Sequence, residues 1–249
     1  MMSLPTTGYL YLGMVGWTGK YLKGDFYPPS LRPTQYLRFY SSHFNMVEVE
    51  STLGQLPHSM TLDNWYLNTP PRFLFCPHFP VDWMLEVGNK EKIGQFFDRL
   101  ELLREKLGPV ILDFTRFEKK GVVERLSWMF SQLPDEHRYV TIADDSNREI
   151  LGRQLAGIKA KDRIILCEKL SGYDPVFPDS FGSFNYWHLY LDGEVNKKFA
   201  SRVAEGLGEI ISELVPNRRE IFLVLESSMY EGVRLVREHL LKFLGNFLG

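Results

Sequence analysis

Eight short apolar runs, each ending on or beside a polar residue, recur along the chain. They are residues 9–16 (YLYLGMVG), 46–51 (MVEVES), 72–78 (RFLFCPH), 109–114 (PVILDF), 138–144 (RYVTIAD), 163–169 (RIILCEK), 185–192 (NYWHLYLD) and 221–227 (IFLVLES). Stretches with helical spacing lie between them. Strand-length apolar runs alternating with helical segments predict βαβ units and a parallel sheet. Eight units in 249 residues match the size of one (β/α)8 barrel. The expected fold is therefore α/β: a TIM-like barrel of parallel strands, one domain spanning residues 1–249.

The intervening segments differ in strength. Residues 91–107 form the clearest amphipathic pattern, with Ile93, Phe96, Phe97, Leu100, Leu103 and Leu107 on one stripe. Gly108-Pro109 reads as its stop, a C′ glycine followed by proline. Further helices are expected from Pro33-Thr34 (Thr34 as cap) through Tyr40, after His58 to residue 69, and over 119–132, 147–157, 196–214 and 230–245. The segments 17–33 and 78–89 read as long aromatic loops. Residues 171–184 (SGYDPVFPDSFGSF) carry little helix signal and read either as a lid or as an irregular connection.

A barrel of this kind places its chemistry at the C-terminal ends of its strands. Those ends carry Glu50, His78, Asp113, Asp144, Glu168, Asp192 and Glu226. Period-two alternation on the seventh run puts Trp187, Leu189 and Leu191 on one face and His188, Tyr190 and Asp192 on the other. The same alternation groups Glu48 with Glu50 and Cys76 with His78. Two carboxylates about 6 Å apart repel by roughly 3 kcal/mol at an effective dielectric near 20. A ring of them needs protons, basic neighbours such as Lys169, or a cation, and carboxylates suit a hard divalent ion such as magnesium or manganese. On this reading Asp113 and Glu226, with Glu48, are candidate metal ligands. Glu48 and His188 are candidate catalytic groups, and Glu50 and His78 contact the ligand. Glu48 stands out because a charge on a core strand is costly without a partner.

Plainer roles compete with these. Asp144 to Asn147 reads as an N-cap for the following helix, Asp192 as a turn residue, and Cys76 as core packing. Trp17 and Tyr27, in the first loop, read either as stacking groups for a ligand or as the loop's own core. Lys20 and Lys23 beside them suit a phosphate.

Composition narrows the classes. With 44% hydrophobic and 24% charged residues, the chain has ordinary globular values. A formal net charge of −2 gives no support for bulk nucleic-acid binding. The two cysteines lack CxxC spacing and fall on different strands, so neither a disulfide nor a zinc site is expected. No run is long enough to span a membrane, and the N-terminus has no basic and apolar leader pattern, so a cytoplasmic protein is expected. Dinucleotide, Walker, GxSxG and HExxH motifs are absent from the sequence.

One set of motifs carries a resemblance. Gly16-Trp17, Tyr27-Pro28-Pro29-Ser30-Leu31, Tyr40, residues 43–52 (HFNMVEVEST), Leu56-Pro57, Trp65, Pro70-Pro71, Phe73 to Phe75 and residues 106–109 (KLGP) resemble the YecE-like family, domain of unknown function 72. That resemblance implies a TIM-like barrel and no established reaction. The chain departs from the family pattern at polar positions. Residues 53–55 (LGQ) replace a Phe-Tyr-Arg run, Cys76 a lysine and Asp113 a glutamine. Residues 142–145, 188–192 and 225–227 replace basic or amide-bearing stretches. Glu48 is retained. Two functions follow as expectations. One is a metal-assisted hydrolase or phosphodiesterase-like enzyme acting on a small-molecule or phosphate-containing ligand. The other is a catalytically degenerate barrel that binds a ligand without turning it over. The sequence leaves the oligomeric state open.

Overall fold

Nine short strands, all in parallel pairings where register is defined, make up two sheets among the described residues of the computed structural model. It describes residues 10–53, 55–85, 90–115, 130–157, 163–171, 184–191, 193–214 and 219–248. The strands are β1 (Leu10–Gly13), β2 (Met46–Val49), β3 (Leu74–Phe79), β4 (Val110–Asp113), β5 (Tyr139–Ile142), β6 (Ile164–Leu166), β7 (Glu168–Ser171), β8 (Phe184–Tyr190) and β9 (Glu220–Glu226). One sheet has the order β1-β9-β8-β7 and the other β2-β3-β4-β5-β6. The helices are α1 (Tyr36–Tyr40), α2 (Ser59–Leu67), α3 (Asp82–Leu85), α4 (Lys90–Leu100), α5 (Asp145–Gly157), α6 (Lys197–Leu214) and α7 (Tyr230–Leu248). This is a parallel α/β fold, and at that level the expected architecture is met. The expected helix over 119–132 lies almost wholly outside the described residues, as do residues 172–183 and Asp192.

The chain clusters into two compact units. The first takes the residues up to Val47, Thr69–Phe73 and those from Glu168 onward. Its four-stranded sheet carries an aromatic ladder. Tyr11 is register partner to Phe222, and Phe222 to Tyr186, and their rings stack at 4.7 and 5.7 Å. Helices α6 and α7 pack together where Gly208 meets Phe243; a Cβ at Gly208 would fall 2.2 Å from that ring. The family motifs have structural work here. Gly16 adopts a φ of +66°, a conformation glycine takes without penalty. The Tyr27 hydroxyl donates to the Trp17 carbonyl at 2.6 Å. The Tyr40 hydroxyl accepts from Met14 N–H at 2.8 Å and donates to the Met46 carbonyl at 3.0 Å. The Asn45 amide accepts from Leu12 N–H at 2.6 Å and donates to the Leu10 carbonyl at 2.8 Å, doing for β1 what a neighbouring strand would do. The expected Thr34 cap is absent: Gln35 Oε1 accepts the Arg32 N–H instead, ahead of a 3-10 turn over Pro33–Gln35.

The second unit holds Glu48–Asn68 and Leu74–Cys167. Strand β3 is buried along its whole length, and Phe79 packs against Phe96 and Phe97 of α4. The amphipathic stripe buries Ile93, Phe96, Phe97, Leu100 and Leu103 as expected. The helix ends sooner than its pattern suggests. It tightens to a 3-10 turn over Glu101–Lys106, and Arg104 leaves helical space at φ 50°, ψ −129°. Gly108 stands just past the C-cap Leu107, at the expected C′ position, but without the left-handed conformation of a capping glycine. Its N–H donates to the Phe75 carbonyl at 2.8 Å, and a Cβ there would fall 2.7 Å from Cys76 Sγ. Close approach to β3 is the reason for that glycine. The loop after β3 also contains a helical turn, α3.

The sixth apolar run is divided. Ile164–Leu166 pairs with β5, while Glu168–Ser171 pairs with β8. Cys167 lies between them, with its N–H donating to the Thr141 carbonyl and its own carbonyl accepting from Arg148. Both cysteines are buried, and neither is in a disulfide.

Candidate functional site

Strands β2 and β3 are neighbours, and each brings one ionisable residue into the interior. Glu48 is 1% exposed and His78 is 2% exposed. Glu48 Oε1 lies 2.6 Å from His78 Nε2. An ionised carboxylate can only accept, so Nε2 carries the proton in this contact. The other ring nitrogen, Nδ1, is buried and has no hydrogen-bond partner among the described residues. A buried polar atom left so costs about 1–3 kcal/mol. Any group that reaches Nδ1 recovers that cost. Oriented by a carboxylate on one side and unpartnered on the other, the imidazole has one feature that proton transfer uses, a ring held in a single tautomer.

A third residue sets the pair's backbone. Just past β2 the chain turns through a 3-10 helix, Glu50–Leu53. Thr52 in that turn is fully buried, and its hydroxyl donates toward the His78 carbonyl at 2.7 Å and the Val49 carbonyl at 2.9 Å. Sequence reasoning missed Thr52, although it lies inside the quoted 43–52 motif. Glu50, expected beside Glu48 on the strand, falls in the 3-10 turn and is exposed. Strand alternation does not extend to it, because β2 ends at Val49.

Asp113 closes β4, but its Oδ1 accepts from the Thr115 N–H at 2.8 Å and hydroxyl at 2.7 Å, an Asx turn. Asp144 caps α5 through the Asn147 N–H at 2.8 Å. In the first unit, His188 is 3% exposed and shares a sheet face with Tyr190 and Glu226. His188 Nδ1 lies 3.4 Å from Tyr190 Oη and 3.5 Å from Glu226 Oε2. Glu226, expected as a metal ligand, is thus the neighbour of His188. Tyr27 is 1% exposed and stacks on Tyr36 at 3.9 Å, with its hydroxyl occupied by Trp17, so its ring and its polar group are both inside the loop. Burial raises the Tyr27 hydroxyl far above the usual phenol range. Lys20 and Lys23 are exposed. Among the described residues, no three His, Cys, Asp or Glu side chains form a group able to hold a metal ion. Of the expected magnesium or manganese ligands, Glu48 and Asp113 belong to the second unit and Glu226 to the first.

Comparison with known proteins places this geometry. The family model described as "Protein of unknown function DUF72" matches residues 11–142, more than half of the chain. The chain belongs to that family, the YecE-like group. Two solved structures of a DUF72 family protein from Enterococcus faecalis V583 are similar. They have TM-scores of 0.69 and 0.68 at 14% and 15% identity, each covering 95% of this chain and covering 98% and 95% of theirs. A DUF72 family protein from Thermotoga maritima MSB8 is similar at a TM-score of 0.64 and 21% identity, covering 96% of this chain and 98% of its own. At these identities the likeness establishes the fold. No curated protein matches the chain. Among the described residues, no helix is long and apolar enough to cross a membrane.

Proposed function

We propose that this protein is an enzyme that moves a proton through the Glu48–His78 pair, on a small-molecule or phosphate-containing ligand. Hydrolysis, of phosphodiesters first, is the reaction class to test. The observation that carries the reading is the buried 2.6 Å contact, with Nδ1 left without a partner among the described residues. In this reading His78 transfers the proton, Glu48 orients the ring and selects its tautomer, and Thr52 fixes the backbone beneath it. A positioned general acid or base contributes about a hundred- to ten-thousandfold in rate. Full-length protein should turn over at least one member of a panel of p-nitrophenyl phosphodiesters, phosphomonoesters and esters. His78→Asn should remove that activity by a factor in this range, with a smaller loss in Glu48→Gln. Turnover that survives His78→Asn unchanged overturns the assignment.

A second reading is a frame that binds without turnover. It draws on the family motif residues, since Tyr27, Tyr40 and Asn45 all use side-chain polar groups on backbone partners. A ligand that perturbs His78 in NMR spectra, yet emerges chemically unchanged, would favour it.

A further inference from the structure

A cavity of about 600 Å³ opens in the first unit along α7, against Asp25 and Phe26 of the first loop and His43 after α1. None of its residues belongs to the Glu48–His78 pair. Its walls combine apolar surface with charges of both signs, the carboxylates Asp25 and Glu238 against Arg234, Arg237 and Lys242, and one of these charges is buried. Phe26, Tyr230 and Leu241 supply the apolar part and are each at most 6% exposed. Arg237 supplies the buried charge and is 9% exposed. Its Nε and Nη2 both donate to the His43 carbonyl, at 3.0 and 2.6 Å, and its guanidinium carbon lies 5.3 Å from the Phe44 ring centroid.

These contacts hold the guanidinium in place but use only part of it. A guanidinium has five N–H donors, and Nη1 donates to no group among the described residues. The carboxylate nearest to hand is already committed. Glu238 and Glu231 both bind Arg234, at 2.8 and 2.6 Å. Among the described residues Arg237 is therefore a buried cation with no carboxylate in ion-pair contact, Glu238 acting on it only at longer range, a state proteins rarely maintain unless something else supplies the negative charge. Lys242, on the same side of α7, is exposed and makes no hydrogen bond or ion pair among the described residues. It adds a second cation at the rim.

We propose that this cavity binds a small organic oxyanion, a phosphate or carboxylate carried on a flat apolar body. The anion would meet Arg237 and Lys242, and the body would lie against Phe26, Tyr230 and Leu241. The planar fork of an arginine suits two oxygens of such a group at once.

Calorimetric titration of the full chain with phenyl phosphate, benzoate, inorganic phosphate and phenol tests this. Phenyl phosphate or benzoate should bind saturably, which of the two is tighter assigning the oxyanion. Inorganic phosphate should bind more weakly and phenol not at all. Lys242→Glu, at an exposed position, should weaken the tighter ligand about tenfold by reversing one charge, and Arg237→Gln should abolish binding. Arg237 also holds the His43 backbone, so the Lys242 variant decides the matter should Arg237→Gln fail to fold. Phenol binding as well as phenyl phosphate, an unchanged affinity in Lys242→Glu, or no saturation at millimolar ligand would each overturn the proposal.

Discussion

Replacing Glu48 by glutamine keeps the shape of the side chain and removes its charge. The amide oxygen can still accept from His78 Nε2, but a charge-assisted bond becomes a neutral one, and a new NH2 group is buried. Hydrogen bonds to charged groups contribute about 1.5–3 kcal/mol, against about 1 kcal/mol for neutral ones. With both partners at most 2% exposed, solvent does little to soften the loss. Glu48→Gln should lower stability by about 2 kcal/mol, or about 4–8 °C in melting temperature for a chain of this size. The cleaner quantity is the coupling from a cycle of Glu48→Gln, His78→Phe and the double variant, each followed by urea denaturation. Contacting residues couple by about 0.5–3 kcal/mol, and this pair should fall in the upper half of that range. A coupling indistinguishable from zero, in variants shown to be folded by circular dichroism, would refute the claim that Glu48 holds the ring.

Four further outcomes are expected. Tyr40→Phe removes a hydroxyl that both accepts from Met14 and donates to Met46, so urea melts should show a loss of about 1–3 kcal/mol. On α4, Gly94 is exposed with open space at its Cβ position, so Gly94→Ala should gain about 0.5–1 kcal/mol. Gly208→Ala, driven into the Phe243 ring, should lose about 1–3 kcal/mol. Burial lowers the His43 and His137 imidazoles below their ordinary range. The unfolded chain therefore binds more protons than the folded one just below neutral pH. The corresponding stability is present above the unfolded value of 6.5 and is lost as the pH falls toward the folded values. His137→Phe, which keeps an aromatic ring against Phe97, should flatten that slope in urea midpoints measured from neutral to mildly acid pH.

The strands were legible in the sequence because strands in a parallel sheet are apolar on both faces and stand out as continuous runs. The same property hid the break at Cys167. An apolar run covered on both sides looks identical whether it stays in one sheet or passes to the next. Helix α4 was legible from its stripe, but its end was not, since Gly108 serves β3 through space rather than the helix through its cap. In the site, Glu48 was visible as a charge on a core strand. Its pairing with His78 was not, because the two lie 30 residues apart and meet only through the adjacency of β2 and β3. Glu50 was misplaced for a local reason: alternation says which way a side chain points, not where the strand stops.

Asn45 joins two acceptor–donor contacts of opposite sense, one to Leu12 N–H and one to the Leu10 carbonyl. Its amide cannot be exchanged for a carboxylate of the same size without turning an acceptor toward that carbonyl. Asparagine is a thermolabile side chain, and its hydrolysis makes this exchange with no change in the gene. The lock on β1 is therefore open to chemical ageing: a single spontaneous deamidation would leave a molecule of nearly unchanged mass and volume in which residue 45 keeps one side-chain bond to the first strand and turns the other into a repulsion.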